Sequence, residues 1–229
     1  MNNKKGIIVF DLDGTLINSA PDLCHALNKT LEVINIPNIS IDEVMGFLGD
    51  GALELIKKGI LRYDSIDNYN IDDLRKYFLK IYDKCLLDKT KFYTDAVKSI
   101  KKLRNNNFST AICTNKPIHL AEKIINGLDA SNLFDVITGG DSYNYKKPDP
   151  RHLIKTIERT GNKLNKAIMV GDSLNDIECA KKANIKSIVV NFGYSKISVE
   201  KLNADLIMKN YSDLENHVNY LINKKPKAN

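Results

Sequence analysis

Two carboxylates, Asp11 and Asp13, stand one residue apart directly after the apolar run Ile7-Ile8-Val9-Phe10. The run reads as a buried strand, and residues i and i+2 of a strand project to the same side. Asp11 and Asp13 therefore leave the strand's carboxyl end close together, and Gly14 lets the chain turn away. Carboxylates this close repel unless a cation lies between them or one of them holds a proton. The pair suits a hard metal ion and acid–base or nucleophilic chemistry. Asp and Gly are also ordinary turn residues, so the pair gains meaning only from what the rest of the chain brings to it.

Three later segments bring more. Thr110-Ala111-Ile112-Cys113 runs into Thr114 and Asn115. Lys146 and Lys147 precede Pro148, just before a helix opened by Pro150. Ala167-Ile168-Met169-Val170 runs into Gly171, Asp172 and then Asp176. Two of the three are again apolar runs that end in a hydroxyl or an acid.

The elements that must position these residues follow from periodicity. After the first strand, Ser19-Ala20-Pro21-Asp22 opens a helix, with Ser as cap, Pro in the first turn and Asp at the positive end of the dipole. Further helices are expected over 41–45, 52–61 and 71–87, and from Pro21 to Asp88 no strand is evident. After Tyr93 helix and strand alternate: helices over 95–105, 118–126, 150–160 and 174–182, strands over 108–113, 136–138, 167–170 and 187–190. A short strand at 205–207 and a helix from Ser212 close the chain. Such alternation means a doubly wound α/β fold, a parallel sheet with helices on both faces. Sheets of this kind bind ligands beyond the carboxyl ends of their strands, where Asp11, Thr114 and Asp172 fall.

The order and spacing of these segments resemble the four signature motifs of the haloacid dehalogenase (HAD) superfamily, over nearly the whole chain. Within it, the stretches Asp11 to Asp22, Cys113 to Pro117, Gly139 to Ser142 with Lys146 to Pro150, and Val170 to Asp176 look most like bacterial phosphoglycolate phosphatases. The resemblance implies a Rossmann-like core over 1–15 and 89–229 and an inserted helical cap over 16–88. It implies a Mg²⁺-dependent phosphatase acting on a small phosphorylated metabolite, with 2-phosphoglycolate favoured. Asp11 would be the nucleophile and Asp13 the general acid and base. Thr114, Asn115 and Lys147 would hold the phosphoryl group. Asp11, the backbone carbonyl of Asp13, Asp172 and, through water, Asp176 would hold the metal. Gly49-Asp50-Gly51 resembles the specificity loop of the cap. Asp50 would repel the carboxylate of phosphoglycolate unless it points away or is screened by Lys57, Lys58 or Arg62. The alternatives are another HAD phosphatase, a sugar-phosphate mutase like β-phosphoglucomutase, and a receiver-type module that carries a phospho-aspartate signal. A dehalogenase is disfavoured, because it attacks carbon and usually lacks the second aspartate.

Composition bounds the rest. The 229 residues can bury a sizeable core. No apolar run approaches the ~20 residues of a membrane span. Lys4 and Lys5 precede a stretch too short for a signal peptide, so a cytoplasmic enzyme, monomer or homodimer, is expected. The net charge of +6, from 34 basic and 28 acidic residues, comes from dispersed lysines, clustered only at Lys224, Lys225 and Lys227. Nucleic acid binding would call for a concentrated basic patch. The four cysteines form no CxxC pair and the four histidines no zinc spacing. Gly46 to Gly51 matches GxxGxG but follows a helix, which excludes the dinucleotide reading.

Overall fold

The computed structural model describes residues 4–223; the lysine cluster at 224, 225 and 227 lies outside them. In chain order the elements are β1 (Ile7–Phe10), β2 (Ile17–Asn18), α1 (Ala20–Glu32), α2 (Ile41–Met45), α3 (Ala52–Leu61), α4 (Ile71–Cys85), β3 (Lys91–Phe92), α5 (Ala96–Asn105), β4 (Ser109–Cys113), α6 (Ile118–Gly127), β5 (Val136–Thr138), α7 (Pro150–Glu158), β6 (Ala167–Gly171), α8 (Leu174–Lys182), β7 (Lys186–Val190), β8 (Leu206–Met208) and α9 (Leu214–Asn223). Among the described residues, six strands form one sheet in the order β5-β4-β1-β6-β7-β8. Every pairing in it is parallel.

The doubly wound α/β class expected from the sequence is therefore observed. All four residues of β1 are fully buried, as a strand covered on both faces requires. Its side chains alternate. Ile7 and Val9 join Ala111, Cys113 and Met169 beneath α7 and α8, while Ile8 and Phe10 join Ile112, Ile168 and Val170 on the other face. That second core is continuous with Leu27, Leu55 and Phe78 of the helical block α1–α4.

Three details differ from the expectations. A two-stranded antiparallel ribbon, β2 with β3, frames the helical block; two-residue strands carry no periodicity that sequence patterning could detect. Asp95 has a left-handed backbone, so α5 begins only at Ala96. Ser19 precedes α1, but its hydroxyl does not cap the helix; it donates to Asp13 instead.

Asp22 also does more than complement a dipole. Its buried carboxylate accepts from the backbone amides of Lys89 and Thr90 and from the Thr90 hydroxyl at 2.7–3.1 Å. The first turn of α1 and the chain returning from the helical block to the sheet are thereby tied together at one point.

Candidate active site

Sheet order explains the convergence. β4 and β6 flank β1, with Phe10 in register with both Ile112 and Val170. The residues that follow each strand, Asp11, Thr114 and Asp172, therefore emerge side by side. Ligand oxygens of Asp11, Asp172 and Asp176 lie within 4.8 Å of one another, all three residues being buried. Asp172 is fixed by the Thr15 hydroxyl at 3.1 Å on one oxygen and by the Tyr194 amide at 2.8 Å on the other. Asp176, in the first turn of α8, reaches back to accept from the Ser173 amide and hydroxyl at 3.0 and 2.6 Å. Gly14, at φ +80°, passes so close that a β-carbon there would lie 2.4 Å from an Asp172 oxygen. Only glycine permits both that backbone and that approach.

One lysine faces this acidic group. Lys147 Nζ lies 2.6 Å from Asp176 and 2.8 Å from Asp11, with only 2 % of its side chain exposed. Burial opposes its charge, but the two carboxylates overcome burial and hold its pKa above the ordinary value. Three buried carboxylates still outnumber one ammonium. Burial pushes Asp11 up to about 6 against the pull of Lys147, and burial with repulsion from Asp176 and Asp11 drives Asp172 well above its usual range. Asp11 Oδ1 is buried at ion-pair distance from Lys147, with no further donor among the described residues. With one ammonium set against three buried carboxylates, this hard all-oxygen donor set fits a divalent cation.

Asp13 lies on the open side, where its carboxylate accepts from the Lys116 ammonium at 2.8 and 3.0 Å and from the Ser19 hydroxyl. Thr114 is 2 % exposed and its hydroxyl accepts from the Lys116 amide. Asn115 donates from its amide to the carbonyls of Gly49 and Lys147 at 3.2 and 3.0 Å. Asp11, Asp13, Thr114 and Asn115 line a cavity of about 50 Å³. Gly49 and Gly51 line it too, with Leu55, Phe78 and Tyr82 of the helical block as its apolar wall. At ~10–15 Å³ per water, that space suits a small ligand.

Asp50 stands apart from its neighbours. It does not line the cavity; it pairs with Lys58 at 2.6 Å and accepts from Asn175 at 2.8 Å. Its partial burial opposes ionisation, but those two bonds hold its pKa below the ordinary value. Of the three screening cations expected from the sequence, Lys58 alone reaches it; Lys57 pairs with Glu54 and Arg62 with Glu43. Lys116 and Tyr82 were not anticipated at the site. The signal for Lys116 was its place two residues after a strand-end threonine, the same turn that carries Thr114.

The profile of the haloacid dehalogenase-like hydrolases matches residues 8–190. The chain belongs to this family. Over 209 residues it is 34% identical to a phosphoglycolate phosphatase of Agrobacterium fabrum, covering 91% of this chain and 90% of that protein. A phosphoglycolate phosphatase of Colwellia psychrerythraea is 37% identical, over 84% of this chain and 87% of its own length. In fold the chain is similar to the crystal structure of a predicted phosphoglycolate phosphatase from Haemophilus somnus 129PT, with a TM-score of 0.87 at 27% identity. That match covers 93% of this chain and 97% of the other. This HAD-like chain is accordingly a hydrolase, phosphoglycolate phosphatase-like over nearly its whole length. Among its described residues no helix is long and apolar enough to cross a membrane.

Proposed function

We propose that the chain is a Mg²⁺-dependent cytoplasmic phosphatase that hydrolyses 2-phosphoglycolate to glycolate and phosphate. The observation that carries this reading is the pairing of Asp11 and Asp13 in the wall of one small cavity, with Asp172, Asp176 and Lys147 gathered behind Asp11. The names of the relatives support the choice of ester.

In this reading an Asp11 oxygen attacks phosphorus while the bond from phosphorus to the glycolate oxygen breaks, leaving an aspartyl-phosphate. Asp13 gives the departing oxygen a proton, then takes one from the water that attacks the acyl-phosphate. Phosphate leaves and Asp11 is regenerated. A positioned acid and base of this kind contributes ~10²–10⁴-fold. Thr114, Asn115 and Lys147 hold the phosphoryl oxygens, and Lys147 is itself fixed by Asp11 and Asp176. Asp11, Asp172, the Asp13 carbonyl and, through water, Asp176 would hold Mg²⁺, which when bound offsets the negative charge that Asp11 presents to a phosphate dianion. Residues 16–88 act as the cap and the remainder as the catalytic core, with the cap excluding water and reading the leaving group.

A mutase must retain a sugar bisphosphate, so phosphate release with no isomer formed separates it from a phosphatase. A screen of phosphate monoesters with Mg²⁺, ranked by kcat/KM, tests the reading. 2-Phosphoglycolate is expected to lead and phosphate to be released with no isomer formed. Turnover of no ester would refute the phosphatase, and another ester in first place would refute the substrate.

A further inference from the structure

Lys116 is a buried cation that the reaction above does not use. Its side chain is 4 % exposed. The ammonium donates to both oxygens of Asp13 and, at 2.9 Å, to the Tyr82 hydroxyl, and it lies 4.6 Å from the centre of the Tyr82 ring. Tyr82 belongs to α4, so the ammonium is clasped between the core and the helical block.

Among the described residues that line the cavity, Lys116 is the one cation. The other lysines nearby are committed elsewhere. Lys58 is bound to Asp50 and the Phe47 carbonyl, Lys146 to the Asp50 carbonyl, and Lys147 to Asp11 and Asp176. The same cavity is lined by the apolar side chains of Leu23, Phe78 and Leu120. An anionic group entering the cavity meets one lining ammonium, whose three donors are shared between the two Asp13 oxygens and the Tyr82 hydroxyl.

The position of that ammonium matches one kind of leaving group. In the proposed reaction Asp13 meets the ester oxygen. A 2-phosphocarboxylate carries its carboxylate one carbon from that oxygen. A cation within hydrogen-bond distance of Asp13 is thus also within reach of the carboxylate. Lys116 can serve both partners, because an ammonium has three donors and two of them go to the same Asp13 carboxylate. The Ser19 hydroxyl keeps a further hold on Asp13 if one of those bonds is given up.

We propose that Lys116, clasped by Tyr82, is the specificity-determining residue that binds the leaving-group carboxylate and selects phosphate esters of 2-hydroxy acids over neutral esters. The proposal rests on the phosphatase reading and on Asp13 facing the leaving oxygen. It differs from a purely structural role, in which Lys116 would hold Asp13 in place and affect every ester alike.

The test compares 2-phosphoglycolate with 2-hydroxyethyl phosphate, which carries a neutral hydroxymethyl group where the other has its carboxylate. Wild-type protein with Mg²⁺ should prefer phosphoglycolate. In Lys116→Met the ratio of the two kcat/KM values should fall by about 10- to 100-fold, the worth of a charge-assisted hydrogen bond, and Lys116→Arg should keep part of it. An equal loss on both esters, or no loss, overturns the proposal. Product inhibition of the wild type gives a readout that no folding defect can disturb. Glycolate should compete with phosphoglycolate at concentrations where ethylene glycol does not, and equal inhibition by the two would overturn the proposal. Failure of the phosphatase reading is distinct, since wild-type protein would then hydrolyse neither ester.

Discussion

Asn175 donates a hydrogen bond to the Asp50 carboxylate at 2.8 Å, joining the loop before α3 to the first turn of α8. With Lys58 on its other oxygen, Asp50 is a latch between the helical block and the core, and its charge is spent on that contact. The sequence alone left open whether Asp50 faces the substrate.

A latch predicts a particular response. Asp50→Asn should lower kcat/KM for phosphoglycolate and for a neutral ester in equal proportion, by no more than about fivefold, since half-exposed ion pairs are worth ~1 kcal/mol or less. A selective gain on phosphoglycolate would show instead that Asp50 repels the substrate. Gly51, with φ +93° beside the cavity, should tolerate valine poorly on any ester.

Asp22 should matter for stability more than for chemistry. Its carboxylate is buried and collects donors from Lys89 and Thr90. Asp22→Ala leaves those donors without their acceptor, and urea unfolding should register a loss of about 3 kcal/mol. A change below about 1 kcal/mol would mean that water replaces the carboxylate without cost.

His152 gives the fold a pH dependence of its own. The ring is fully buried on α7, edge-on to Tyr143, with neither nitrogen hydrogen-bonded among the described residues. Burial, aided by nearby Lys147, holds its pKa down to about 4. The unfolded chain binds this proton near pH 6.5 and the folded chain does not. Stability that is full above pH 6.5 is therefore lost as the pH falls toward 4, by ~1.4 kcal/mol per pH unit. Between pH 7 and 5, in chelator, wild-type protein should lose about 2 kcal/mol more than His152→Leu in urea unfolding. Identical pH profiles would contradict a buried neutral imidazole.

Much of the site was legible because it lies where strands end. The apolar runs 7–10, 110–113 and 167–170 lead within two residues to Asp11, Thr114 and Asp172, and parallel winding brings those ends together whatever the loops do. The contacts of Lys116, Ser19 and Tyr82 were not legible. Their partners lie on other elements, and periodicity records which face a residue occupies, not which side chain it meets. Ser19 shows the limit well. The local pattern read as a helix cap, yet the hydroxyl binds Asp13 across the turn. The role of Asp22 depended likewise on residues 67 and 68 positions away.

In the proposed reaction Asp11 attacks phosphorus at a site where Asp11, Asp172 and, through water, Asp176 would hold a divalent metal. Phosphate release from 2-phosphoglycolate, followed for wild-type and Asp11→Asn protein with Mg²⁺ and again with excess chelator, tests it most directly. Rapid release is expected from the wild type with Mg²⁺ only, and none above background from a folded Asp11→Asn protein, because an amide cannot attack phosphorus. Wild-type-like release from Asp11→Asn, or undiminished release in chelator, would contradict it.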